Sequence, residues 1–131
     1  MLWRRRRRNP RRSSDGGAVE SDNIVEMFAR LGPVAVRKMF GGFSIYADGT
    51  MFALAYDGVV YLKADDGNAA SFAREGQQQF TYTAKNGRRA VMSYWRLPDR
   101  LYDDPDELAT WARESLAAAR RSKRPSKKAR R

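Results

Sequence analysis

The sequence predicts an α+β domain, an antiparallel sheet of about five to six strands with helices packed against it. Three observations carry this. Apolar residues recur at helical spacing near both ends of the central region and alternate at strand spacing between them. Asp48-Gly49, Asp57-Gly58 and Asn86-Gly87 each separate two short apolar runs, and such pairs accept the positive φ angles of tight hairpins. The order is helix, strand meander, helix, hairpin, helix, without the strand–helix alternation of a parallel sheet.

The elements follow in order. Ile24, Met27, Phe28 and Leu31 stand at i, i+3, i+4, i+7, one face of a helix. Ser21 or Asn23 caps its start, Asn23 and Glu26 have capping-box spacing, and Gly32-Pro33 ends it. Residues 34–39 form a strand leading into the glycine turn Phe40-Gly41-Gly42, then 43–47, 51–56 and 59–64 continue the meander. Phe52, Leu54 and Tyr56 share one face of their strand, and Met51, Ala53 and Ala55 share the other, as in a central strand. Asp65, Asp66 and Asn68 cap a short helix over 67–75, anchored by Phe72 and stopped by Gly76. Strands at 80–85 and 89–95 flank Asn86-Gly87, and 97–103 is a loop. Asp104 caps the last helix, with Pro105 at its first position and Glu107 at its third. Leu108, Trp111, Ala112, Ser115, Leu116 and Ala119 form its buried stripe, and Phe28, Phe52 and Trp111 are expected to meet in the core.

The chain has 131 residues, room for one domain. It contains neither cysteine nor histidine. A disulfide framework, a thiol nucleophile, zinc–thiolate sites and the usual neutral-pH proton shuttle are therefore excluded. Its formal charge is +11, but the distribution is uneven. Arg4, Arg5, Arg6, Arg7, Arg8, Arg11 and Arg12 crowd the first twelve residues. Arg120, Arg121, Lys123, Arg124, Lys127, Lys128, Arg130 and Arg131 crowd the last twelve. Neither run contains an acid, whereas residues 13–119 carry 11 cations against 15 acids. The high isoelectric point thus belongs to two tails. Like charges repel and lack apolar surface to bury, so 1–20 and 121–131 are expected to be disordered around a folded domain at 21–120.

The tails suit phosphate backbones, since each neutralised phosphate releases counterions without regard to sequence. The candidate nucleic-acid contacts are Arg4 to Arg8, Arg11, Arg12, Lys123, Arg124, Lys127, Lys128, Arg130 and Arg131. The competing readings are a solubility feature and, for residues 1–19, an extension from an upstream start codon. The basic start is followed by Ser13-Ser14-Asp15-Gly16-Gly17 rather than by an apolar segment, so it does not read as a signal peptide. The longest apolar run, 51–56, is too short for a bilayer. A cytoplasmic or nucleoid-associated protein is expected.

Several residues together resemble a known family. They are Arg37-Lys38-Met39-Phe40-Gly41-Gly42-Phe43, Phe52-Ala53, Tyr61-Leu62-Lys63, Phe80-Thr81-Tyr82, Met92-Ser93-Tyr94 with Pro98, and Trp111-Ala112-Arg113. Over about residues 24–120 the chain resembles the TfoX N-terminal domain family. The resemblance implies helices packed on an antiparallel sheet and a part in regulating competence for DNA uptake. The best-known members are longer and carry a second, helical domain.

The remaining constellations have plain structural readings. Gly41-Gly42 joins two strands, unlike a phosphate loop, which precedes a helix. It reads as a turn or bulge, and Arg37, Lys38, Gly41, Gly42 and Lys63 form a candidate cationic site against the alternative of solvated strand-end charges. Asp103, Asp104, Asp106 and Glu107 complement a helix N-terminus rather than a metal. Tyr46, Tyr56, Tyr61, Tyr82, Tyr94 and Trp95 lie on strands, where core packing competes with base stacking. No nucleophile–base spacing is present, and no cofactor is implied. The leading expectation is a non-enzymatic regulatory domain with a protein partner and DNA-binding tails. The alternatives are a protein-interaction or chaperone-like module with incidental tails, and a small-ligand binder or enzyme.

Overall fold

The computed structural model describes residues 21–39 and 41–123. Within them the chain forms α1 (Ser21–Met27), β1 (Ala35–Met39), β2 (Gly42–Ala47), β3 (Thr50–Tyr56), β4 (Val59–Lys63), α2 (Ala69–Arg74), β5 (Gln79–Thr83), β6 (Arg89–Arg96), a 3-10 turn (Asp99–Asp103) and α3 (Pro105–Lys123). The strands make one six-stranded sheet, ordered β1-β2-β3-β4-β6-β5, with every neighbouring pair antiparallel. The expected α+β class and element order are therefore present.

Two Asp-Gly pairs make the tight turns of the meander. Asp48 and Gly49 have φ of 52° and 76°, and Asp57 and Gly58 have 54° and 79°, the double positive φ of a type I′ turn. Asn86-Gly87 works differently, because only Gly87 has positive φ, at 87°. The Gly87 N–H donates to the Ala84 carbonyl at 2.9 Å and the Ala84 N–H to the Arg88 carbonyl at 2.8 Å. The loop is thus a turn closed by a left-handed glycine, the usual three-residue hairpin.

A bulge changes the face pattern of β3. Ile45 pairs with Ala53 while Tyr46 pairs with Met51, so Phe52 is the extra residue. An extra residue reverses the alternation on its strand. Phe52 therefore joins Ala53 and Ala55 in the core beneath the helices, while Met51, Leu54 and Tyr56 share the opposite face. The expected sharing of a face by Phe52, Leu54 and Tyr56 is corrected accordingly.

All three helices pack on one side of the sheet. Ile24 and Phe28, Phe72, and Leu108, Ala112, Leu116 and Ala119 meet Ile45, Phe52, Ala53, Ala55, Val60 and Leu62 in one buried cluster. Phe28 and Phe52 touch edge to face, 5.2 Å between centroids. Trp111 is not their neighbour. It is half-buried at the edge of the cluster, edge to face with Phe72 at 4.9 Å, and its indole N–H donates to Glu107 at 3.3 Å. The predicted stripe of α3 is correctly phased, but its widest side chain lies at the rim, where a polar indole nitrogen finds a partner.

The helix starts divide. Asp104 caps α3 as expected, its carboxylate accepting from the Glu107 N–H at 3.1 Å. Ser21 and Asn23 lie inside α1 rather than before it. Asn68 makes no side-chain cap for α2. It is buried and instead joins the end of β4, its Oδ1 accepting from Asp65 N–H at 2.9 Å and its Nδ2 donating to the Lys63 carbonyl at 3.1 Å. Finally, α3 continues through Lys123, past residue 120 where the sequence reading ended the folded part. Arg121 holds that last turn by a two-pronged ion pair to Asp65, at 2.6 and 2.8 Å.

Candidate functional site

The side of the sheet away from the helices carries its own cluster, built from strands alone. Leu54, Phe80 and Tyr94 are buried there, with Met39, Met51, Tyr56, Tyr61 and Tyr82 packed around them. Cross-strand register places these residues together. Tyr46 stands opposite Met51, Leu54 opposite Tyr61, and Tyr61 in turn opposite Arg96. Phe80 makes edge-to-face contacts with two tyrosine rings, Tyr61 at 4.8 Å and Tyr56 at 5.5 Å between centroids.

Cations overlie this aromatic surface. The Arg37 guanidinium lies 5.6 Å from the Tyr46 ring centre, and the Lys63 ammonium 5.3 Å from that of Tyr94. Such contacts hold a charge by the negative face of the ring. Lys63 also donates to the Ser93 hydroxyl at 2.6 Å. Among the described residues neither cation has an acidic partner within ion-pair distance. Burial pushes the Tyr94 phenol up to about 12, with the nearby Tyr46 phenol adding to the effect. Tyr94 is therefore neutral in the cell.

The charge of the fold is segregated. The six strands contain Arg37, Lys38, Lys63, Arg89 and Arg96 and no acid at all. The acids occupy helices and turns, where many are already engaged. Arg100 grips Glu75 and Glu107 together, at 2.5 and 2.8 Å, tying α2 to α3. Arg30 pairs with Asp106, and Arg120 reaches Asp48 at 3.3 Å.

The Arg100 hydrogen bonds hold the Glu75 and Glu107 carboxyls below the ordinary carboxylate range, as Arg121 does for Asp65. A depressed carboxyl contributes stability that is present above its unfolded pKa and lost as pH falls through the folded one. Melting temperature is therefore expected to hold between about pH 7 and pH 5 and to fall below about pH 4, the carboxylate range. Arg100→Gln should lower the neutral-pH plateau more than the acid end, so that the two variants converge on acidification. The groups are exposed, so the effect is modest.

The proposed cationic site at the glycine turn is only partly assembled. Lys38, Met39, Gly41, Gly42 and Phe43 line an open depression of about 340 Å³. Lys63 is elsewhere, three strands away and toward the opposite end of the sheet, where it meets Tyr94. Arg37 lies on the aromatic face, with Tyr46. Gly42 has a structural task, since a Cβ there would stand 2.1 Å from the Ala55 carbonyl oxygen. Trp95 belongs to the helix side, stacked 6.1 Å from Phe72. Arg4 to Arg8, Arg11, Arg12, Arg124, Lys127, Lys128, Arg130 and Arg131 lie outside the described residues, as does Phe40, and Lys123 closes α3. Among the described residues, no three acids gather as a metal site, and no helix is long and apolar enough to cross a membrane.

Reading the sequence by regions missed Arg96, Met39 and Met51 as members of this face. It also missed the pairing of Arg37 with Tyr46 and of Lys63 with Tyr94. The signal was present in the acid-free strands, but the net negative charge of 13–119 averaged it away.

One family matches most of the chain. Residues 26–119 match the TfoX N-terminal domain. The chain belongs to that family. This TfoX N-terminal domain is 33% identical over 98 residues to Protein Sxy of Escherichia coli, covering 75% of the chain and 46% of that protein. It is 27% identical over 106 residues to the DNA transformation protein TfoX1 of Aliivibrio fischeri, covering 78% of the chain and 50% of that protein. The chain thus spans about half the length of the curated relatives it matches.

Proposed function

We propose that this TfoX N-terminal domain is a non-enzymatic regulatory module of the cytoplasm, linked to competence or transcription, that acts through a protein partner while its basic termini add non-specific DNA affinity. The similarity to a DNA transformation protein supports the regulatory part. The observation that carries the partner is the β5–β6 hairpin. It projects beyond the sheet, because β6 pairs with β4 only over Tyr94–Arg96. On the projecting part Val91 is 64% exposed and Met92 37%. Apolar side chains exposed beside unpaired strand backbone suit a protein surface, through added strand pairing and side-chain burial.

Affinity purification from the native cell, with nuclease treatment, tests this reading. Val91→Asp with Met92→Asp is expected to lose a nuclease-resistant partner that the native chain retains. Retention of every partner by that variant would remove the hairpin from the interaction.

The tails make a separate prediction. If about six to eight tail cations contact duplex phosphates, log K should fall with log salt at a slope of roughly −5 to −7. Base sequence should matter little, because charges without a rigid element do not aim at base edges. Trimming 1–19 and 124–131 should flatten that slope and leave melting unchanged. The cut belongs at 124 because Arg121 is part of the fold. Equal duplex affinity in the trimmed chain would place the duplex surface elsewhere.

A further inference from the structure

We propose that the helix-free face of the sheet binds single-stranded nucleic acid, with bases on the tyrosines and phosphates on Arg37 and Lys63. Charge complementarity and ring geometry on this face point to a ligand beyond the protein partner and the duplex-binding tails. A six-stranded face with no helix over it, among the described residues, presents Tyr46, Tyr56 and Tyr61 half-buried, around buried Leu54, Phe80 and Tyr94. The strands carry no acid, and of their five cations Arg37, Lys63 and Arg96 stand on this face, whereas Lys38 is opposite Phe43 of the helix-side cluster. Arg37 and Lys63 are held over rings by cation–π contact and have no acidic partner among the described residues. An acidic peptide would satisfy the charges but not the ring surface. A duplex keeps its bases stacked inside. A single strand offers both phosphates and free π faces, and base–aromatic stacking is indifferent to base identity.

The dimensions agree. Arg37 on β1 and Lys63 on β4 are separated by three strand spacings, about 14 Å. Sheets of about this breadth accommodate two or three stacked bases with their linking phosphates. Arg96, opposite Tyr61, adds a third cation at that side, although Asp99 at 3.7 Å shares it.

The test keeps the full chain, so that the termini contribute equally throughout. The probes are a 20-nucleotide oligo(dT), an abasic strand of equal charge and a 20-base-pair duplex. The native chain is expected to bind oligo(dT) about tenfold more tightly than the abasic strand. Arg37→Gln with Lys63→Gln should weaken oligo(dT) about tenfold, reduce its salt slope by about 1.4, from 0.7 per phosphate on single strands, and leave duplex affinity within about twofold. Tyr61→Leu, which keeps apolar bulk, removes a ring and leaves Tyr46 and Tyr94 under their cations, should weaken oligo(dT) and leave the abasic strand unchanged. Melting curves establish that both variants are folded. Equal affinity for oligo(dT) and the abasic strand would overturn the proposal, as would parallel losses on oligo(dT) and duplex. Unchanged oligo(dT) binding in both variants would overturn it too, leaving the face to a protein.

Discussion

Phe52→Ala is expected to cost about 3–5 kcal/mol of folding stability. Phe52 is fully buried in the cluster between sheet and helices, in edge-to-face contact with Phe28. The loss combines the transfer energy of the ring with the cavity left behind. A domain of this size has only about 5–15 kcal/mol of total stability, so one such cavity consumes much of it. Trp111→Ala makes the informative comparison. Its ring is larger but half-buried at the rim, so it should cost less than Phe52→Ala. Urea unfolding of both variants, with unchanged denaturant slope, checks the order. A greater loss from Trp111 would show that the centre of the core lies under Phe72 and not under Phe28.

Gly42→Ala is expected to be as damaging as many large core deletions, about 3 kcal/mol or more, because one methyl group would collide with backbone. The clash is with the Ala55 carbonyl at 2.1 Å, and that carbonyl is not a flexible side-chain end that can move aside. Relief requires β2 to separate from β3, the pair that anchors the meander. Gly41 is a contrasting control. Its φ is +82° and nothing stands within 4 Å of an added Cβ, so Gly41→Ala carries only local backbone strain of about 1 kcal/mol. Thermal melting of the two variants separates the roles. Equal losses would show that the turn conformation, and not the approach of β3, makes the glycines necessary.

Local chemistry was legible in the residues themselves. Asp-Gly pairs between two apolar runs accept the positive φ of a tight turn at little cost, so the meander could be read at 48–49 and 57–58 before any packing was known. Asp104-Pro105 likewise determines where α3 starts, because the cap and the fixed proline φ act within one turn. The periodic stripe of α3 was readable for the same reason, down to the buried Leu108, Ala112 and Leu116.

Other features depend on residues far apart in the chain, and only the tertiary structure decided them. The extra residue in β3 exists only relative to its partner strand, so the turning of Phe52 toward the helices had no local mark. Whether Trp111 meets Phe52 or Phe72 depends on how α2 and α3 settle over the sheet. The end of α3 moved past residue 120 because Asp65, more than fifty residues earlier, supplies a partner for Arg121. The candidate site shows the same division. The sequence by itself determined which residues are cationic or aromatic and that the strands contain no acid. The tertiary structure decided that all three helices choose one face, leaving Tyr46, Tyr61, Arg37 and Lys63 together on the other. Residue chemistry and turn geometry are local, whereas the choice of a sheet face is made by long-range burial, which places the apolar helix stripes on one side and, among the described residues, none on the other.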